Sequence, residues 1–511
     1  MHRHYAPEDL PYHRNRPIPR RPFMKTKIKV LGIILFSFAI FAGSRTMGGA
    51  SLQTQDATEK KAKASSLQPA AEKVSEKPEE KPQPTPETAA KKTLSFSYNG
   101  EIANYVVSES HSFFGDSSRF WLETSLRLDT AVRYKHFTAG VSGIGIKTTG
   151  QDSFGTGTVL AGSPQGTNPR GTFPSFYLDQ AYVQLERIGG LPLKATLGRQ
   201  HITIGSQFLI GDGVYDGFST KTQQGVFHSP RKGFDALRVE WDVKKTHFDS
   251  FIYRVDPTWD GGGRRDGLLI GLDISRTFAE TKGTYAAGLF YRSSRSNLDN
   301  DMAVFDARGE QPLNLLKGLS VSGEFAWEFG GRCRNPAYCT IIGQKMNEQS
   351  WHAEVGYEAK TRPFHPFAEA GYVFYSKDFT PIATGFSDWG KWYLGNQIDW
   401  IIFGTNTKIV RAQAGVWPTS TIKIRALFHN TRQVENTGTS TGGSLSNEVS
   451  FIGEWYPREN LWFNVSLGHS RPGPALAASG LGNPFAFLNT GAAPLGTRNS
   501  FDVVIATSWR F

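Results

Sequence analysis

From Leu94 onward, apolar and polar residues alternate with a period of two. In FWLETSLRLDTAVR, Phe120, Leu122, Leu126, Leu128 and Val132 share one face, while Glu123, Arg127, Asp129 and Arg133 share the other. Successive side chains of a strand point to opposite faces, whereas a helix would scatter both sets around its circumference. The same alternation returns repeatedly. Ala181, Val183 and Leu185 oppose Gln180, Tyr182, Gln184 and Glu186, and Leu237, Val239 and Trp241 oppose Arg238 and Glu240. Trp351, Ala353, Val355 and Tyr357 oppose His352, Glu354, Glu358 and Lys360. Val410, Ala412, Ala414 and Val416 oppose Arg411 and Gln413, and Ile422, Ile424 and Phe428 oppose Lys423, Arg425 and His429.

Seventeen such runs start near 94, 119, 137, 175, 192, 233, 246, 267, 284, 319, 349, 364, 407, 420, 446, 460 and 500. Many exceed the five or six residues of an ordinary globular strand. After residue 50 no segment approaches the roughly 18 consecutive apolar residues of a membrane-crossing helix. The pattern predicts an all-β fold, a transmembrane antiparallel β-barrel of about 18 strands, with 16 as the other even count. A soluble sandwich or propeller fits less well, because strands this long lack a convergent turn repeat there. WPTSTIK (417–423) and YPRENLW (456–462) read as short turns. Segments 149–174, 293–317, 329–348, 376–396, 431–445 and 471–499, rich in Gly, Ser, Asn and Pro, read as long loops. The chain ends with Phe501, Val503, Ile505, Thr507, Trp509 and Phe511 on one face, a terminal strand with a final aromatic that resembles the assembly signal of Gram-negative outer-membrane proteins. That ending implies the outer membrane, its barrel assembly machinery, and lipid and lipopolysaccharide as surroundings.

Residues before the barrel differ in kind. Met24 opens MKTKIK, an apolar run follows from Val30 to Ala42, and small residues come next. This order describes a secretory signal peptide starting at Met24 within a pre-sequence of residues 1–50. Residues 51–93 are dominated by Lys, Glu, Pro and Ala and contain no aromatic, a composition expected of a disordered periplasmic linker. Such a linker acts as a spacer or as an arm toward the cell wall or a periplasmic partner. The barrel region is then 94–511.

Charge changes little in this picture. The chain holds 57 Lys and Arg against 46 Asp and Glu, but residues 1–93 account for 17 and 9 of these. The barrel region is left with a net charge of +3, so the basic balance is no argument for nucleic acid. The two cysteines, Cys333 and Cys339, suit a small disulfide in an exported chain; a two-cysteine zinc site lacks a nearby His. No metal and no cofactor are expected. GDGVYDG (211–217) looks like a phosphate loop, yet turn formers and another strand follow it where that motif needs a helix. His111–Ser112, His228–Ser229 and His469–Ser470 are adjacent pairs whose side chains diverge on a strand, and no GxSxG occurs. Nothing favours an enzyme.

The stretch LGRQHITIGSQFLIG (197–211), followed after a loop by RKGFDALRVEWD, resembles the signature of the alginate export family of outer-membrane porins. The matching residues are Gly198, Arg199, Gln200, Gly205, Leu209, Ile210, Gly211, Phe234, Asp235, Leu237 and Arg238, and SFYLDQAYVQLE (175–186) is similar to the family's preceding strand. The chain departs from the family pattern where a Trp usually follows Leu-Ile-Gly; here the sequence is DGVYDGFST. The resemblance implies a monomeric barrel of about eighteen strands whose Arg/Lys-lined constriction conducts an anionic polysaccharide.

The expected lumen path comprises Arg127, Arg133, Arg199, Gln200, Arg238, Arg411, Lys423 and Arg425, with Glu123, Glu240 and Glu354 holding the basic chains in place. Rings of like charge select ions of opposite sign. The expectation is passive passage of anionic solutes, extending to a polysaccharide such as alginate. The alternatives are a general or substrate-specific porin for small solutes, or a non-conducting scaffold tethered to the cell wall. A net basic ring at the narrowest section would favour the polyanion, and balanced pairs the small solute.

Overall fold

The computed structural model describes residues 94–110, 118–151, 175–211, 234–255, 267–294, 301–332, 345–379, 406–435, 443–477 and 498–511. The signal segment, the linker, Cys333, Cys339 and all of GDGVYDG after Gly211 lie outside the described residues. Eighteen strands follow one another: β1 Ser95–Ser110, β2 Arg119–Tyr134, β3 Phe137–Gln151, β4 Ser175–Glu186, β5 Leu193–Gln200, β6 Phe234–Val243, β7 Thr246–Val255, β8 Gly267–Thr277, β9 Thr284–Ser294, β10 Asp301–Pro312, β11 Leu319–Arg332, β12 Lys345–Glu358, β13 Phe367–Tyr375, β14 Thr407–Thr419, β15 Ile422–Gln433, β16 Ser444–Arg458, β17 Leu461–Pro472 and β18 Ser500–Arg510. Each pairs antiparallel with its sequence neighbours, and β1 also pairs with β18 from Glu101–Arg510 to Ser110–Phe501, which closes the sheet. Closure removes the unpaired edges that lipid cannot satisfy.

The expected loop 293–317 is corrected. It holds β10, which pairs with β9 from Met302–Arg292 to Glu310–Thr284. The strand escapes a hydropathy reading because its outward face is Ala303, Phe305, Ala307 and Gly309, where Phe305 alone is a large apolar residue.

Outward faces carry the apolar set. Phe120, Leu122, Leu126 and Leu128 are exposed, as are Val449, Phe451, Val465, Leu467, Phe501 and Ile505. Exposed apolar rows of this length are unfavourable in water and complement lipid. Short turns, including Lys135–His136, Lys244–Lys245, Ser420–Thr421 and Glu459–Asn460, gather at one end together with Leu94 and Phe511. In outer-membrane barrels the short-turn end is periplasmic and the long-loop end is extracellular.

Candidate functional site

Beyond β5 the chain enters the barrel. Gln200 turns inward and its amide donates to the backbone oxygens of Thr196 and Ala236, each at 3.2 Å. His201 Nε2 lies 2.9 Å from Asp179 Oδ1. Asp179 also accepts from Ser142 Oγ at 3.2 Å and pairs with Arg127 Nε at 3.2 Å. This fully buried carboxylate ties β2, β3 and β4 to the root of the inward segment.

The segment from His201 to Gly211 closes on itself where the Ile204 amide donates to the Ile210 carbonyl at 3.0 Å. Ile202, Ile204, Phe208, Leu209 and Ile210 are buried against the inner faces of β6 to β14, among them Tyr253, Phe290, Val304, Val373 and Ile409. Phe208 stacks on Tyr375 at 5.3 Å between ring centroids and meets the His352 ring edge-on at 5.1 Å. At the tip, Ser206 Oγ donates to Glu324 Oε2 at 2.7 Å. Gly205 has φ +57, and a Cβ there would lie about 2.5 Å from the Arg308 side chain. The tip therefore needs glycine for both its backbone and its space. We call residues 201–211 the latch.

Beside the latch tip a belt of charged groups crosses the inner wall. Arg238 Nη2 pairs with Asp249 Oδ2 at 2.6 Å and lies 3.6 Å from Glu240. Glu240 also holds Lys194 at 2.5 Å. Arg308 pairs with Asp306 and, at 2.6 Å, with Asp273. Gly288, directly opposite Asp306 and Asp273, leaves the gap on β9 across which Arg308 reaches β8. Glu324 stands opposite Arg308 on one side and His352 on the other. Gly371 opens a second gap, through which Arg411 on β14 reaches Glu354 on β12 at 3.4 Å; Arg411 also pairs with Glu369. Arg425 and Lys423 share Glu454, at 3.4 and 3.9 Å. Lys423 also lies over the rings of Phe367 and Trp417, at 5.3 and 5.4 Å. Latch tip and belt bound a cavity of about 790 Å³. Its lining carries six basic residues, Arg238, Arg308, Lys360, Arg411, Lys423 and Arg425. Against them stand seven acidic ones: Asp249, Asp273, Glu310, Glu324, Glu354, Glu358 and Glu369.

Most lumen candidates fall on inward faces, but not all meet. Arg238, Glu240, Glu354, Arg411, Lys423 and Arg425 belong to the belt. Arg127 serves Asp179 and Asp129, and Arg133 pairs with Glu186 at the short-turn rim, 2.8 Å away. Gln200 holds backbone oxygens. The Glu123 side chain lies outside the described residues. Arg199 corrects the expectation of a lumen or rim position. It points outward with Leu197, forks onto Asp235 at 2.9 and 3.2 Å, and donates to the Leu178 carbonyl at 3.3 Å. Unanticipated belt members are Asp249, Asp273, Asp306, Arg308, Glu324, Glu369 and Glu454. For Asp249 the signal was present, since it alternates with Phe248 and Ile252 in THFDSFIYRV. Among the described residues, no three His, Cys, Asp or Glu side chains are grouped to hold a metal ion.

A closed eighteen-stranded antiparallel barrel with an apolar outer face and a polar, partly occluded lumen is the architecture of an outer-membrane porin. Solved structures similar to this chain have that fold. Acinetobacter baumannii OccAB1 superposes with a TM-score of 0.52 at 13% identity, covering 81% of this chain and 97% of its own. Pseudomonas aeruginosa OccK8 (OprE) gives 0.52 at 9%, covering 81% and 98%. Pseudomonas aeruginosa OprD gives 0.51 at 10%, covering 81% and 95%. No protein-family model and no curated protein matches the chain. The fold is thus of the outer-membrane OprD/Occ porin type, and the alginate export resemblance finds no support beyond the quoted residues.

Proposed function

We propose that this protein is an outer-membrane channel for the diffusion of small charged solutes, narrowed by the latch and filtered by the belt. One observation carries the reading: the cavity lining mixes both signs, six basic residues against seven acidic. A polymer with a carboxylate on every unit favours an unbroken basic track. Here Asp249, Asp273 and Glu324 interrupt it, and each would repel the chain. A small solute instead samples neighbouring groups of both signs at short range, where a narrow low-dielectric lumen strengthens their fields. Arg411, Lys423 and Arg425, on adjacent strands, are the side on which a carboxylate would rest. Asp249, Asp273 and Glu324 are the side for an ammonium or guanidinium group.

Liposome swelling with the reconstituted protein tests this. Amino acids and single uronates should enter faster than neutral sugars of equal size, and uronate oligomers should be excluded. Oligomers entering as readily as monomers would restore the polysaccharide reading.

A further inference from the structure

Six consecutive turns at the short-turn end, from β2–β3 to β12–β13, each carry at least one Lys or Arg. The eight short turns together hold eight basic residues against two acidic ones, Glu280 and Glu459, a net of +6. Adding the strand residues next to them, Arg458 against Glu186 and Glu358, leaves +5. Residues 94–511 as a whole carry +3, so this rim is basic and the remainder acidic. All eight turns lie within the described residues. Turn geometry does not account for the choice of residue. Lys135, Arg187, Lys244 and Lys282 have φ of 54, 54, 56 and 57, a left-handed backbone that Gly or Asn adopts with less strain. Among the described residues, Lys360 alone of the eight has an ion pair, 3.3 Å from Glu358, and that pair is exposed.

We infer that this basic arc binds the phosphodiester headgroups of anionic phospholipids in the periplasmic leaflet. Two groups show which way the rim faces. Lys135 Nζ lies 5.0 Å from the ring centroid of Tyr134, and the guanidinium of Arg276, just inside the rim, lies 5.1 Å from that of Phe278. Tyr134 stands opposite Phe137 and Arg276 opposite Tyr285, and all four rings are exposed. Aromatic belts of barrels sit at headgroup level. A turn one or two residues beyond them holds its ammonium groups among phosphates. The turn tips also expose apolar side chains beside the basic ones: Leu315 and Leu316 precede Lys317, and Phe364 follows Arg362, at 88%, 50% and 62% exposure. Such pairs suit an interface, where the apolar part enters the leaflet and the charge stays with the headgroups. An acidic protein arriving from the periplasm would gain nothing from cations held against lipid-side rings. The cavity lining includes Lys360 alone of the eight, so the arc is separate from the channel filter.

The full barrel reconstituted in phosphatidylcholine bilayers, probed with spin-labelled phosphatidylglycerol or phosphatidylcholine, tests the inference. The wild type should immobilise phosphatidylglycerol about threefold more than phosphatidylcholine, and about 1 M salt should remove the preference. Lys135→Gln, Lys244→Gln and Lys282→Gln combined should lower the ratio to about half, whereas Glu280→Gln should raise it. A heat-dependent gel shift checks that each variant is folded. A wild-type ratio of one, a ratio unchanged in the combined variant, or both variants moving it the same way would overturn the inference. So would a loss of anionic-solute flux in the combined variant at an unchanged lipid ratio, which would assign the charges to steering solutes. Equal retention of both lipids together with binding of polyglutamate would overturn it in favour of an acidic protein partner. None of the substituted residues lines the cavity, so failure here leaves the channel reading standing.

Discussion

Ser206 and Glu324 are 118 residues apart, yet the Ser206 hydroxyl donates to the Glu324 carboxylate at 2.7 Å. This bond joins the tip of the latch to β11 and ends a span that begins at the His201–Asp179 contact. Pinned at root and tip and packed along its length, the latch crosses the lumen from β5 toward β11.

Packing holds the latch between these two ends. Phe208→Ala removes a side chain buried between Tyr375 and His352 and should cost the latch about 3–5 kcal/mol. Single-channel recordings should show a larger mean conductance with frequent transitions, while the barrel stays folded. Unaltered, quiet traces would mean that the latch does not narrow the path.

At the root, Asp179→Asn leaves Arg127 and His201 without their shared carboxylate. Breaking a buried pair costs about 3–5 kcal/mol. Amides 201–205 should exchange hydrogen faster, with those of β7 and β8 unaffected. Protection unchanged at 201–205 would place the restraint elsewhere.

Selectivity should follow the sign of the group removed. Arg411→Gln leaves Glu354 and Glu369 without their guanidinium, so reversal potentials in a salt gradient should move toward cation preference. Glu454→Gln frees Lys423 and Arg425 and should move them toward anion preference. Both variants shifting the same way would count against the belt as the filter.

Gly371→Val tests the gap rather than the charge. A Cβ at this position would crowd Glu354 at 2.9 Å and Arg411 at 3.1 Å. The pair across β13 should part with no change of net charge, and selectivity should alter less than in Arg411→Gln.

The two faces of β2 can be tested at neighbouring positions. Leu126→Arg puts a charge on the lipid side, where the cost near the midplane is about 2–4 kcal/mol. Ser125→Arg, facing the lumen, should fold into vesicles with nearly wild-type stability. Equal losses in urea titrations would mean that the two faces are misassigned.

Much of the barrel was legible in the chain. Alternation is a local property, so Leu122 and Leu126 opposite Arg127 and Asp129 determine the faces of β2 without reference to any other strand. The same rule already placed Arg199 with Leu193 and Leu197 on the lipid side; reading it as a lumen residue let its charge outweigh its period. β10 stayed hidden because Ala303, Ala307 and Gly309 make a weak apolar row, and Asp306 and Arg308 were lost with it. Which inward groups meet was beyond the sequence. Arg308 reaches Asp273 only because closure and register set Gly288 between them, and Ser206 reaches Glu324 only because a segment leaves the wall and crosses a chord of the lumen. Faces depend on a two-residue repeat within one strand, whereas the belt and the latch depend on the register of eighteen strands and on contacts between distant parts of the chain.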